Sequence, residues 1–235
     1  MRHGESEYNA ASAAASSGWA DPQIYDAPLT AKGRHQATAL RRHFEAQGLP
    51  GDALWVTSPL TRAVETLLLA CPTAHLLSAA GAAPGDGGGL PPRVAVRHEM
   101  AEKVTTTGDV GRPPGHLAAA FPQRAPQMAE LPGAWWYGSS GSGSGSGSGS
   151  ATNTSGGGKG GGDRVNCALT RRFGSSEPKA SLQRRIADFK RWLHTRPERV
   201  IVAVGHSSYW KHFSQGFCGA SLERMYNCEV RTLHV

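Results

Sequence analysis

Paired cysteines are missing from this chain. Cys71, Cys167, Cys218 and Cys228 form no Cys-x-x-Cys pair and show no metal-ligand spacing, which argues against a disulfide framework and for free thiols in a reducing, cytoplasmic compartment. The ten histidines include no His-Glu-x-x-His or similar zinc pattern, so neither a metal nor a cofactor is expected. No apolar run approaches the length of a membrane span, which excludes a transmembrane helix and leaves no membrane partner to expect. Acidic residues are also in short supply: 18 Asp and Glu stand against 25 Lys and Arg, a net charge of +7. Such an excess raises the question of nucleic acid. However, Arg41-Arg42, Arg184-Arg185 and Lys190-Arg191 fall on helical stretches whose other faces are apolar, where charges are simply solvated. A nucleic-acid partner is not expected; a positive cleft for a phosphate ester is. Nothing in the sequence sets an oligomeric state.

Glycine is unevenly spent. Residues 138–162 are almost wholly Gly and Ser and cannot bury a core, so they read as a disordered insert. Each doubling of a flexible loop costs only about 0.6 kcal/mol, and a fold tolerates such an insert. Residues 78–92 read as a flexible loop. What remains, 1–137 together with 163–235, suits one domain.

Periodicity fills in that domain. Thr30 is placed to cap a helix from Ala31 to about Gln47, stopped by Gly48, with Ala37, Leu40 and Phe44 on one face. Ala53 to Thr57 is a short strand; Ser58 then caps a second helix with Pro59 in its first turn. Arg93 to Arg97 is a strand by its alternating valines. Leu182, Ile186, Phe189 and Leu193 mark an amphipathic helix ended by Arg196-Pro197. Val200 to Val204 is a strand expected to be buried on both faces. Strands alternating with helices predict an α/β fold: a mostly parallel central sheet with helices on both faces. In such sheets ligands collect beyond the carboxyl ends of strands, where His3, Ser58 and His206 would lie together.

The chemistry concentrates at the start, in Arg2-His3-Gly4-Glu5 with Asn9 five residues past Gly4. Four further segments accompany it in order. They are Asp26-Ala27-Pro28-Leu29-Thr30-Ala31-Lys32-Gly33, Thr57-Ser58-Pro59-Leu60-Thr61-Arg62-Ala63, the acid stretch Glu99-Met100-Ala101-Glu102, and Val202-Ala203-Val204-Gly205-His206-Ser207. Together these resemble the histidine phosphatase (phosphoglycerate mutase-like) superfamily, in its smaller mutase and broad-phosphatase branch, because Glu5-Ser6-Glu7 follows Gly4. The resemblance implies a phosphohistidine intermediate. His3 would be the nucleophile, His206 a second catalytic histidine, and Glu102 the acid, with Glu99 the competing carboxylate. Arg2 and Arg62 would grip phosphoryl oxygens with planar guanidinium forks, and Asn9 and Ser207 would add neutral hydrogen bonds. Trp135-Trp136-Tyr137 reads as core aromatics or as a wall facing the substrate, with core preferred.

The resemblance also implies a strand ahead of Arg2, where this sequence has Met1 alone. The first strand is therefore expected to be missing and the sequence to be a shortened form of a longer chain. Function narrows to a phosphatase acting on a small phosphorylated metabolite. A phosphoglycerate mutase-type transferase is the nearest alternative: Ser17-Gly18-Trp19 is similar to the mutase loop, while Lys103 to Arg112 replaces the mutase segment after the acid. A non-catalytic binding or scaffold protein on the same fold is the alternative of another class.

Overall fold

Among the described residues the sheet has three short parallel strands. In a computed structural model of the chain, the described residues are 1–15, 20–72, 94–133, 135–137, 176–215 and 224–234. Strand β1 (Leu54–Thr57) is central. It pairs on one side with β2 (Val94–Val96) and on the other with β3 (Ile201–Val204), all parallel, in the order β2-β1-β3. Residues before and after 138–175 thus hydrogen-bond in one sheet. The predicted insert 138–162, the loop 78–92, Ser17-Gly18-Trp19, Cys167 and Cys218 lie outside the described residues.

Alternation along β1 sends side chains to two layers. Leu54 and Val56 pack with Leu182, Ile186 and Phe189 of the helix Lys179–His194 and with Tyr209, Trp210 and Phe213 of the helix Ser207–Ser214. Trp55 points the other way, to Phe44 of the helix Ala31–Gln47 and to Ala63, Leu67 and Ala70 of the helix Thr61–Ala70. Phe44 meets Trp55 edge to face with centroids 5.2 Å apart, the geometry ring quadrupoles favour. Numbered in chain order, the helices are α1 (Glu7–Ala14), α2 (Ala31–Gln47), α3 (Thr61–Ala70), α4 (Pro114–Ala120), α5 (Ala125–Ala129), α6 (Lys179–His194) and α7 (Ser207–Ser214). The expected α/β architecture, with a parallel sheet and helices on both faces, is the one observed.

Several boundaries differ from the sequence reading, each for a physical reason. Helix α2 starts at its Thr30 cap, whose hydroxyl accepts from Gly33 N, and stops at Gly48 in the left-handed region (φ 65), as expected. Helix α1 was not anticipated; Ser6 and Asn9 form a reciprocal capping box that starts it. Helix α3 begins at Thr61 rather than at Pro59, and Ser58 is not its cap. The Asp26 carboxylate caps it from a distant loop, accepting from Thr61 N at 2.7 Å and Thr61 Oγ1 at 2.6 Å. Helix α6 ends at His194, before Arg196-Pro197. Trp135 is 2% exposed and packs with Leu60, Leu117 and Met128, a core aromatic as expected.

Strand β3 is the larger correction. Ile201, Val202 and Ala203 are half-buried, not buried on both faces. Among the described residues, only Met1 to His3 pair along its outer edge, and for only part of its length. Gly205 N donates to Met1 O and His3 N to Gly205 O, each at 3.0 Å, and the Met1 ammonium donates to Ala203 O at 2.6 Å. On the far side of this tripeptide, Arg2 N donates to Glu229 O and Cys228 N donates to His3 O. Upstream along the strand, the space between Ile201 and Leu233 opens as a groove of about 580 Å³ floored by Phe189, Leu193 and Phe213.

Candidate active site

The carboxyl ends of β1 and β3, the tripeptide Met1–His3 and the turn Thr107–Asp109 converge on one cavity. It holds about 380 Å³ and is lined by Arg2, His3, Asn9, Arg62, Glu102 and Ser207, with Tyr8, Thr105, Thr106, Asp109, Lys211 and Arg224 among the rest. Six of the seven residues singled out from the sequence line it. The seventh, His206, is fully buried behind it, its ring centroid 5.1 Å from that of His3. Glu99 lies elsewhere, paired with Arg97 and His98, so Glu102 is the carboxylate at the cavity.

His3 is held in one usable tautomer. Its Nδ1 faces Gly4 O at 2.6 Å; a carbonyl can only accept, so Nδ1 carries the proton and Nε2 keeps its lone pair. Arg62 Nε donates toward that lone pair at 3.3 Å. Burial, with the charges of Arg62 and Arg2 added, lowers the His3 pKa well below its ordinary 6.5, which leaves the imidazole neutral. His206 is lowered in the same way, by burial first and then by Arg62. Its Nε2 lies 2.9 Å from Ser58 Oγ, while its Nδ1 is buried with no partner among the described residues.

Close backbone packing fixes the loop that carries His3. A Cβ on Gly4 would stand 2.6 Å from Gly33 O, and one on Gly33 would stand 2.0 Å from Glu5 O, so both positions require glycine. The N-terminus of α2 thereby seats directly against residues 4 and 5, and Gly4 N donates to Thr66 Oγ1 of α3.

The cations are tethered. Arg2 is 7% exposed; its Nη1 donates to Met225 O at 2.7 Å, and its Nε is buried without a partner among the described residues. Burial and the neighbouring Arg224 lower its pKa to about 10, which keeps the guanidinium charged at neutral pH. Arg62 is 5% exposed and anchored through Nη1 to Gly108 O and Nη2 to Asp109 Oδ1, the latter at 3.1 Å. The other Asp109 oxygen accepts from the backbone and hydroxyls of both Thr105 and Thr106. Buried unpaired donors such as Arg2 Nε are costly unless a ligand oxygen meets them, and an anion beside Arg2 and Arg62 would do so.

Glu102 sits at the N-terminus of α7, accepting from Ser208 N at 3.1 Å and Tyr209 N at 2.9 Å, and from Lys103 N. Burial and the charge of Asp109 nonetheless push its pKa up to about 7, within reach of general acid and base duty. Asn9 and Ser207 have structural ties as well. Asn9 Oδ1 accepts from Ser6 N and from Asn227 Nδ2, and Ser207 Oγ accepts from Met225 N. The sequence reading missed Asp109, Tyr8, Lys211 and Arg224. The signal for Asp109 was a lone carboxylate in the turn Thr106-Thr107-Gly108-Asp109, which spacing alone could not connect to Arg62. Among the described residues no group of three or more His, Cys, Asp or Glu is placed to hold a metal ion.

A neutral buried histidine, two anchored arginines and a raised carboxyl group thus gather at the carboxyl edge of a parallel α/β sheet. Residues 1–78 match the family model described as histidine phosphatase superfamily (branch 1). No curated protein matches the sequence. Among solved structures, YhfR of Bacillus stearothermophilus is similar at 21% identity over 100% of this chain and 92% of its own, with TM-score 0.48. The alpha-ribazole phosphatase of Shigella flexneri is similar at 18% identity over 94% and 79%, with TM-score 0.47. The Rv3214 protein of Mycobacterium tuberculosis is similar at 16% identity over 92% and 77%, with TM-score 0.46.

Proposed function

We propose that the chain is a phosphomonoesterase acting on a small phosphorylated metabolite through a phosphohistidine at His3. His3 Nε2 attacks phosphorus, the ester P–O bond breaks, and the departing oxygen takes the proton of Glu102. A water then gives its proton back to Glu102 and attacks phosphorus; the P–N bond breaks and inorganic phosphate leaves. Arg2 and Arg62 bind the equatorial oxygens, and the unpaired nitrogen of His206 supports charge that builds in the transition state. Asn9 and Ser207 line the same space and add neutral hydrogen bonds. The observation that carries this reading is the His3 tautomer, with Nδ1 on Gly4 O and Nε2 toward Arg62.

The same reading treats 1–137 and 163–235 as one domain, supported by the pairing of β1 with β3. It assigns the cytoplasm as location, supported by Cys71 and Cys228 as free thiols.

The test is hydrolysis of p-nitrophenyl phosphate with trapping of labelled phosphate on the protein. His3→Ala is expected to lose more than about a thousandfold in kcat/KM and all label. Hydrolysis that persists in His3→Ala would refute the reading. Isomerisation of 3-phosphoglycerate, primed by bisphosphoglycerate and without phosphate release, would assign transfer to a second hydroxyl instead.

A further inference from the structure

We propose that the substrate of this site carries a second anionic group, a carboxylate or a further phosphate, received by Lys211 and Arg224 at the mouth of the cavity; this rests on the phosphomonoesterase reading. Four cations line the cavity, Arg2, Arg62, Lys211 and Arg224. The first two are buried and face His3. Lys211 and Arg224 are exposed, and neither side chain has a hydrogen-bond or ion-pair partner among the described residues.

The carboxylates that share the cavity do not balance them. Asp109 is taken by Arg62, Thr105 and Thr106. Glu102 accepts from the first amides of α7 and holds its proton up to about pH 7. Arg224 is close enough to Arg2 to repel it, and like charges held at one opening cost free energy that an anionic ligand would relieve.

The backbone that carries each cation is held close to the phosphate-binding arginines. Lys211 stands one turn beyond Ser207 and Ser208 on α7. Arg224 precedes Met225, whose N–H donates to Ser207 Oγ at 3.1 Å and whose carbonyl accepts from Arg2 at 2.7 Å. The mouth is therefore joined to the phosphate grips by backbone hydrogen bonds. A substrate whose transferred phosphoryl group meets Arg2 and Arg62 would present its remaining portion to Lys211 and Arg224. Tyr8, Thr105 and Thr106 line the space between.

The test compares three alkyl monophosphates of equal length, ending in a hydroxymethyl group, a carboxylate or a second phosphate. The readout is the ratio of kcat/KM for each anionic ester to that for the neutral one, which does not depend on how much of a variant is folded. The wild-type protein is expected to favour the anionic esters about tenfold, as an incompletely desolvated charge pair allows. Lys211→Ala and Arg224→Ala should each reduce that preference, and Lys211→Glu with Arg224→Glu should reverse it. A wild-type ratio near one, or a preference untouched in the doubly reversed variant, overturns the proposal while leaving the phosphomonoesterase intact. Failure of the wild-type protein to hydrolyse any of the three, or hydrolysis that survives in His3→Ala, instead overturns the underlying reading.

Discussion

Arg62 contacts Nε2 of His3 and, through Asp109, a turn that no sequence spacing ties to it. Removing that carboxylate charge has two separable effects. Asp109→Asn loses the ion pair that orients Arg62 and removes an anion that raises the Glu102 pKa. The expected outcome is kcat/KM for p-nitrophenyl phosphate lower by about tenfold, with the alkaline limb of the pH profile displaced to lower pH. In the wild-type protein that limb is expected near pH 7, because a protonated Glu102 must supply the leaving group's proton. Glu102→Gln should flatten it and cost about a hundred- to a ten-thousandfold in kcat with an alkyl phosphate. No acid limb near 6.5 is expected from His3, since its pKa lies well below that value. A limb at 6.5 that disappears in a His3 variant would contradict the neutral-imidazole assignment. The residues that meet in the cavity were legible because Arg2-His3-Gly4, Arg62 and His206 sit in short strings of recognisable chemistry. Asp109 and Arg224 were not, because their importance depends on a turn and a chain crossing that only the folded backbone brings near.

At the level of elements, periodicity and caps revealed most of the scaffold. The Thr30 cap and Gly48 stop bound α2 as read, and Leu182, Ile186 and Phe189 face the core as their spacing required. Ser58-Pro59 misled for a simple reason. A side chain placed to cap locally is instead turned toward His206, and the job falls to Asp26, 35 positions away from Thr61. Asp26→Ala is accordingly expected to cost about 1 kcal/mol in unfolding free energy, read as a lower urea midpoint with unchanged slope. The Gly4–Gly33 contact makes a sharper prediction. Gly33→Ala sets a Cβ against the Glu5 carbonyl, so α2 and the His3 loop cannot both keep their places. Activity should fall by more than the loss of folded protein accounts for; equal losses would mean the loop accommodates the methyl group.

Across the whole molecule, the groove beside β3 explains why a β-branched run expected to be buried is half exposed: burial of a strand is set by its neighbours, which its own sequence does not contain. Burial lowers the pKa of His3, His206 and His98 below the ordinary 6.5. The unfolded chain therefore binds protons just below pH 6.5 that the folded chain refuses. Stability from these groups is full above 6.5 and falls as pH drops below it. Glu102 and Asp26, raised to about 7 and about 6, work in the opposite direction, losing their contribution as pH rises toward those values. With three groups against two, the urea midpoint is expected to decline from pH 7.5 to 5.5. The segment from Met225 to Glu229 carries its own consequence. It is stitched to Arg2, Ser207, His3 and Asn9, so a single protease nick inside it should slacken the hold on Arg2 and His3 together.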